Sequence, residues 1–194
     1  SAVSMDKTLA KHLADAAGIA QTRWREMHRD DLDDAMLDAL VDALGFPMFV
    51  KPANMGSSIG VSRADDAAAL RSALDGAFAH DDWVVVEEGV DAREIEVAVL
   101  GHTTSARASV PGEIRPAAEF YDYDDKYNDG AAELLIPAPL PPEVSEEVRR
   151  RACEVFRAYR AEGLARVDFF YEEAGRGLLL NEINTMPGFT PISM

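Results

Sequence analysis

Apolar side chains recur every four residues in four segments of the chain, and this spacing predicts amphipathic helices. The predicted helices cover the segments 5–17, about 31–44, about 65–79 and about 142–162. Two of them are expected to end at Gly45 and at Gly163, because glycine readily adopts the left-handed conformation that closes a helix.

Short apolar runs bounded by Gly, Pro and Asp predict strands between and after these helices. The predicted strands cover 46–52, 83–88, 94–100 and about 104–110. Near the end of the chain, "ARVDFFYEE" and "LLLNEIN" flank "AGRG" and predict a β-hairpin. Helices mixed with hairpin-linked strands predict the α+β class with antiparallel sheet.

The composition narrows the classes of partner. The net charge of −16 argues against a nucleic-acid surface, which needs clustered Lys and Arg. No apolar run approaches the roughly 18 residues that a membrane span needs. The single cysteine, Cys153, cannot form an internal disulfide, which suits the cytoplasm. We therefore expect a cytoplasmic protein that neither binds nucleic acid nor inserts into a membrane.

The predicted hairpin brings acidic side chains together. A turn centred on Gly175 would place Glu172 opposite Leu178, and the same register places Asp168 opposite Glu182. Two carboxylates that face each other across a sheet are destabilising unless positive charge lies between them.

Arg166 and Asn184 would face each other in the same register, on the same side of the hairpin as the two acids. A hard cation such as Mg²⁺, which prefers oxygen ligands, could neutralise Asp168 and Glu182. Arg166 could equally neutralise both acids in a structural ion pair, and the pattern alone leaves both alternatives open.

The segment "NMGSSIGV" at 54–61 is a Gly/Ser loop, which could supply backbone N–H groups to phosphates or simply form a hairpin turn. Lys51 precedes it on an apolar strand. Buried lysines are rare unless paired, so an anionic ligand is the expected partner of Lys51. After the next helix, "VVVEEGVDAREIEV" could bind adenine, with Glu94 on the ribose, whereas Glu88 and Glu96 are better explained as a solvated strand face.

Eight motifs, in this order, resemble the D-alanine–D-alanine ligases of the ATP-grasp superfamily, and they span nearly the whole chain. The motifs are "MDK", "VKPANMGSSIGV", "EEGVDAREIEVAVLG", "PGEI", "EFYDYDDKY", "LIPAPLP", "ARVDFF" and "NEINTMPGFTPISM". The resemblance implies an ATP-grasp fold, in which two α+β lobes with largely antiparallel sheets clasp ATP. It implies a small lobe over 1–88 and a large lobe over 89–194. It also implies that the chain is a fragment, without the family's N-terminal substrate domain and closing helix.

The resemblance implies roles for individual residues in binding ATP and metal. In the family, lysines hold the phosphates and a loop that matches the Gly/Ser loop at 54–61 closes over them. A linker that matches "VVVEEGVDAREIEV" binds adenine and ribose. The implied ATP-binding residues are Lys7, Lys51, Ser57, Ser58, Glu87, Glu88, Val90, Glu94 and Lys126. The implied ligands of two Mg²⁺ ions, for which Mn²⁺ could substitute, are Asp168, Glu182 and Asn184.

The resemblance also implies catalytic and substrate-binding residues. Arg166 and the backbone N–H of Gly188 would stabilise the oxyanion that develops during the reaction. Tyr127 would close toward the Gly/Ser loop through Ser57. The implied catalytic residues are Arg166, Ser57, Tyr127 and Gly188. The implied substrate-binding residues are Lys126, Arg166, Gly188, Ser193 and Met194.

The implied activity is ATP-dependent joining of two D-alanines through a D-alanyl phosphate, for peptidoglycan precursor synthesis. The alternatives are a ligase that uses D-lactate or D-serine as the acceptor, and an ATP-binding module without catalysis. The family is commonly dimeric, largely through the upstream domain, so the homodimer is an expectation for the full-length protein rather than for this segment.

Overall fold

The computed structural model describes residues 2–116 and 132–188 and has the predicted α+β architecture with antiparallel sheets. The chain groups into two compact units. The smaller unit comprises residues 5–8 and 22–90, and the larger unit comprises 1–4, 9–21 and 91–194. Among the described residues, the helices are all too short or too polar to cross a membrane.

The smaller unit is built on a four-stranded antiparallel sheet and two helices. Its elements are β1 (Trp24–His28), a 3₁₀ turn (Arg29–Asp31), α3 (Asp34–Leu44), β2 (Met48–Pro52), β3 (Ser62–Ala64), α4 (Ala67–Phe78) and β4 (Trp83–Glu88). The strands lie in the order β1-β4-β2-β3. The core lies between one sheet face and the two helices, each of which begins at an aspartate, Asp33 or Asp66, whose carboxylate accepts a backbone N–H.

The larger unit is built on a six-stranded sheet and one long helix. Its elements are β5 (Arg93–Gly101), β6 (Arg107–Ala108), β7 (Gly112–Pro116), β8 (Ala132–Leu135), α5 (Pro142–Ala158), β9 (Gly163–Glu172) and β10 (Gly177–Asn184). The strands lie in the order β10-β9-β5-β7-β8, with β6 paired to β5. One face of this sheet packs on α5 to form the core, and the other face carries polar residues.

The start of the chain differs from its prediction. In place of one helix over 5–17 there are α1 (Ala2–Met5) and α2 (Lys7–Ala16). They are separated at Asp6, whose carboxylate accepts hydrogen bonds from the backbone N–H of Thr8 at 2.9 Å and from its hydroxyl at 2.6 Å. A short polar side chain that bonds the local backbone in this way competes with helical hydrogen bonding.

The predicted end of the last helix at Gly163 is also wrong. Helix α5 ends at Ala158, and Arg160 adopts a positive φ of 50° just after it. Gly163 instead begins β9, with a φ of 82°. The apolar periodicity extends past the helix because Tyr159, which directly follows it, is buried in the same core.

For the hairpin, the predicted register is wrong at the turn and correct at the acidic residues. At the turn Glu172 lies opposite Gly177, not Leu178. A β-bulge between Leu180 and Glu182 then adds one residue to β10, so that Glu182 does lie opposite Asp168.

The same bulge explains which side chains of β10 are buried. Leu180 and Ile183 both belong to the core although they are three positions apart, a spacing that unbroken alternation would not allow. Arg166 consequently lies opposite Asn184, as predicted.

The division into lobes 1–88 and 89–194 stays a prediction. The compact units separate close to this position, between Val90 and Asp91, but residues 9–21 group with the larger unit.

Replacing Phe156 with alanine is expected to lower the free energy of unfolding by about 3–5 kcal/mol, because a fully buried aromatic side chain leaves a cavity. Phe156 is the largest fully buried side chain of the larger unit's core. Urea denaturation followed by circular dichroism measures the change. Arg151→Ala, on the ion-paired surface of the same helix, is the control and should cost less than about 1 kcal/mol; a Phe156 effect no larger would contradict the assigned core.

Candidate active site

The sheet of the larger unit presents a polar face opposite its core. Alternation along β5, β9 and β10 points Ile95, Val97 and Val167 into the core, so the intervening residues face the other way. The side chains gathered on this second face are Glu94, Glu96, Arg166, Asp168, Glu182 and Asn184.

Three carboxylates form a row across three neighbouring strands. Glu96 on β5 lies opposite Asp168 on β9, and Asp168 lies opposite Glu182 on β10. Directly opposed like charges destabilise a sheet, so this row must be compensated by positive charge or by protons.

Arg166 supplies positive charge to the row. Its Nε lies 2.8 Å from Asp168 Oδ1 and 3.1 Å from Glu96 Oε2, while its Nη2 donates to Asp168 Oδ2 at 2.7 Å. The side chains of Arg166 and Glu96 are 21% and 10% exposed, so solvent screens the pair little. The prediction for Glu96 as a solvated strand face is therefore wrong.

Asn184 bridges the two predicted metal carboxylates. Its amide nitrogen donates to Asp168 Oδ2 and to Glu182 Oε1, both at 3.0 Å. The amide orientation follows from this hydrogen-bond network, and rotation by half a turn would present the amide oxygen instead.

Charge crowding shifts the protonation of the row. Burial, followed by the Asp168 carboxylate, raises the pKa of Glu96 above its ordinary value. Burial also raises the pKa of Asp168, and Glu182 adds to this against the hydrogen bonds from Arg166. Burial disfavours the charged form of Arg166, but its contacts with Asp168 more than compensate and raise its pKa.

The predicted ligands Asp168, Glu182 and Asn184 fit Mg²⁺ in chemistry, since two carboxylates and an amide oxygen are hard ligands. Within the described ranges, no group of three or more His, Cys, Asp or Glu side chains is arranged around a metal position. The predicted set of Asp168, Glu182 and Asn184 contains only two such side chains, and crowded carboxylates are what a divalent cation would stabilise.

Glu94 and Gly188 lie in the same unit. Glu94 shares the polar face and lies opposite Phe170 and Ile114. Gly188 lies in the exposed segment that follows β10.

The smaller unit brings two predicted ATP residues into direct contact. Lys51 Nζ lies 2.9 Å from Glu87 Oε1, and the hydroxyl of Thr22 donates to Glu87 Oε2 at 2.6 Å. The side chains of Lys51 and Glu87 are 15% and 3% exposed. The expected anionic partner of Lys51 is therefore already a side chain of this protein, which apolar patterning could not identify.

Lys7 lies at the base of the Gly/Ser loop. Its ammonium group donates to the carbonyl of Pro52 at 3.2 Å and to that of Met55. Ser57 and Ser58 adopt positive φ angles of 52° and 60°, a conformation that non-glycine residues rarely adopt consecutively.

Glu88 lies on the opposite face of the sheet from Lys51 and Glu87. Its strand partner is the core residue Met48. The Glu88 carboxylate accepts from Arg23 at 2.6 and 2.7 Å, and Arg23 also caps carbonyls at the end of α3. The prediction of a solvated strand face is wrong for Glu88, which is 7% exposed.

The remaining predicted site residues divide into two cases. Val90 is half-buried where the chain leaves β4. Four others lie outside the described residues: Lys126, Tyr127, Ser193 and Met194. Thr22 and Glu96 were missed, because their partners Glu87 and Arg166 are distant in sequence.

Comparison with known proteins is consistent with these groupings. Residues 13–194 match the family model described as D-ala D-ala ligase C-terminus. The chain is 51% identical to the D-alanine--D-alanine ligase of Chlorobaculum parvum, covering 100% of this chain and 54% of that protein. It is 45% identical to the enzyme of the same name from Lactococcus lactis subsp. lactis, and this match covers 98% of this chain and 54% of that protein. The chain thus spans about half the length of these curated relatives.

Two solved structures resemble the chain at 33% sequence identity. VanG D-Ala:D-Ser ligase from Enterococcus faecalis superposes with a TM-score of 0.88, over 100% of this chain and 55% of that one. The D-alanine-D-alanine ligase from Coxiella burnetii superposes with a TM-score of 0.84, over 99% of this chain and 50% of that one.

Proposed function

Because this chain belongs to the D-alanine–D-alanine ligase C-terminal family, we propose that its protein joins two D-alanine molecules in an ATP-dependent reaction. The observation that carries the proposal is the grouping of Arg166, Asp168, Glu182 and Asn184 on one sheet face. This grouping unites a guanidinium with hard oxygen ligands, which suits a reaction between anionic partners.

The ATP-binding roles are divided between the two units. In the smaller unit we assign the phosphates to Lys7, Lys51 and the loop with Ser57 and Ser58. The Lys51–Glu87 contact at 2.9 Å supports this assignment, because it keeps a lysine charged where solvent is scarce. We assign adenine to the linker that contains Glu87, Glu88 and Val90. Glu88 is assigned by its position in this linker, because Arg23 contacts both its carboxylate and its backbone N–H.

In the larger unit, Glu94 is assigned to the ribose and Asp168, Glu182 and Asn184 to Mg²⁺. Bound Mg²⁺ would neutralise phosphate charge, and two ions, with Mn²⁺ as a substitute, are the finer form of this proposal. The carboxylates would hold the cation, and Arg166 would keep their charge balanced.

The reaction follows from these assignments. One D-alanine carboxylate oxygen attacks the γ-phosphorus of ATP, and the bond to the bridging oxygen breaks to release ADP. The amine of the second D-alanine then attacks the acyl carbon of the resulting D-alanyl phosphate. As the C–N bond forms and the amine loses a proton to solvent, the C–O bond to phosphate breaks. Arg166 and the Gly188 N–H would stabilise the oxyanion that forms between these events.

The other assigned residues complete the substrate site. We assign Lys126 to the phosphates and to substrate, Ser193 and the Met194 backbone to the second D-alanine carboxylate, and Tyr127 with Ser57 to closure over the reacting groups. Excluding water protects an acyl phosphate from hydrolysis. We further propose a cytoplasmic location and a role in supplying peptidoglycan precursor.

The test is ADP release by the whole protein with Mg·ATP and D-alanine, compared with L-alanine, D-serine and D-lactate in place of D-alanine. Release that depends on D-alanine, with D-alanyl-D-alanine as the product, is expected. Preferred use of D-serine as the second substrate would instead support the acceptor named for the VanG structure. Binding of Mg·ATP without any amino-acid-dependent release would overturn the ligase proposal in favour of a non-catalytic module.

A further inference from the structure

We infer that Glu96 is a positioning residue that holds Arg166 in place when Asp168 binds the metal. This inference deepens the proposed function and rests on it. Glu96 itself is assigned no contact with ATP, metal or substrate.

The contacts of Arg166 motivate the inference. Both Asp168 oxygens accept from Arg166, at 2.8 and 2.7 Å. With the Asn184 amide, which donates to Oδ2 at 3.0 Å, these contacts fill three of the roughly four lone-pair positions of the Asp168 carboxylate, so a cation must compete with them. If Asp168 turns toward Mg²⁺, Arg166 needs another anion to keep its place, and Glu96 Oε2 already lies 3.1 Å from its Nε.

The strand pairing explains why Glu96 can do this. Arg166 lies opposite Ala98, whose small side chain leaves the surface of β5 free for the guanidinium. Glu96 is two residues along the same strand face, diagonal to Arg166 and opposite Asp168. Its side chain is 10% exposed, so its attraction for Arg166 is not dispersed by water.

Replacing the Glu96 carboxyl group therefore changes the competition for Asp168. Without Glu96, Arg166 binds Asp168 more strongly, and the metal must displace a tighter ion pair. When the metal does bind, Arg166 has lost the anion that orients it toward the reacting carbon. Metal affinity and turnover should both fall, whereas the smaller unit's assigned phosphate ligands are unchanged.

The experiment compares Glu96→Gln with wild type in the whole protein. Mn²⁺ affinity is measured by electron paramagnetic resonance in the presence of a non-hydrolysable ATP analogue, and kcat and KM for ATP are measured separately. Glu96→Gln is expected to weaken Mn²⁺ binding and to lower kcat, each by roughly 10-fold or more, as for other partners of metal ligands. At saturating Mg²⁺ the KM for ATP should change by less than about 2-fold, the pattern of a lost transition-state contact.

Two further variants complete the design. Glu96→Asp retains the charge on a shorter side chain and should recover part of both losses. Glu172→Gln is the matched control, because Glu172 also pairs with an arginine, Arg176, at the far end of β9. It should leave Mn²⁺ affinity and kcat unchanged.

The outcomes separate this role from a structural one. Glu96→Gln removes a like-charge opposition to Asp168 as well as the pair with Arg166, two effects of opposite sign, so its melting temperature should change little while activity falls. Wild-type Mn²⁺ affinity and kcat in Glu96→Gln would overturn the inference, and so would activity lost only in proportion to stability. An inactive wild-type protein would overturn the proposed function instead, while the Mn²⁺ titration, which needs no turnover, would still decide the role of Glu96.

Discussion

Asp168→Asn is expected to lower D-alanine-dependent ADP release by the whole protein by roughly 10²–10³-fold. A bound metal contributes several kcal/mol to the transition state, and each ~1.4 kcal/mol corresponds to a factor of ten in rate. Asparagine keeps the shape of the side chain but removes the charge that would bind Mg²⁺. It also releases Arg166, which donates to both oxygens of Asp168.

The chain contains a closely matched control for this substitution. Arg63 and Asp65 have the same Arg-x-Asp spacing, and Arg63 Nε donates to Asp65 Oδ1 at 2.9 Å. Asp65 is 64% exposed and lies in the smaller unit, outside every assigned site. Asp65→Asn should therefore retain wild-type ADP release. If Asp168→Asn were equally active, the metal assignment would be rejected, and Arg166 with its acids would be only a structural ion-pair cluster.

Lys51→Met is expected to destabilise the smaller unit by about 3–5 kcal/mol, because it removes the ammonium group that lies 2.9 Å from the buried Glu87 carboxylate. The double variant Lys51→Met/Glu87→Gln should recover most of this stability, since the amide carries no charge and can still accept from Thr22. Neither variant should bind ATP with wild-type affinity, because the assigned phosphate lysine is absent from both.

Tryptophan fluorescence during urea denaturation measures the change in stability of the smaller unit. Both tryptophans of the chain, Trp24 and Trp83, lie in the smaller unit. Arg71→Met is the control, because it breaks an exposed ion pair with Asp34 in the same unit and should cost less than about 1 kcal/mol. Recovery of both stability and ATP affinity in the double variant would show that Lys51 has only a structural role.

Much of the local structure was predictable because it depends on neighbours in sequence. Four-residue spacing located α3 and α4 to within three residues at each end, and alternation identified the polar side of the last hairpin. The prediction that Asp168 faces Glu182 was correct although the assumed turn register was wrong by one residue. The bulge before Glu182 corrected that error, and no feature of "LLLNEIN" specified it.

Contacts between distant strands were beyond the sequence pattern. Glu88 and Glu96 look alike in a run of alternating acids, yet one is held by Arg23 on the core side of its sheet and the other by Arg166 on the polar face. Their roles depend on which strands become neighbours. That order, with β5 beside β9, does not follow the order of the chain.

The sequence by itself determined the α+β class, the helical segments and the motifs that relate this chain to its family, because periodicity and residue type are local properties. The tertiary structure alone decided that Glu87 partners Lys51, that a bulge sets the final register of β10, and that Glu96 joins Arg166 and Asp168. Burial makes an unpaired charge costly, so such pairings are selected over the whole fold and not within one segment.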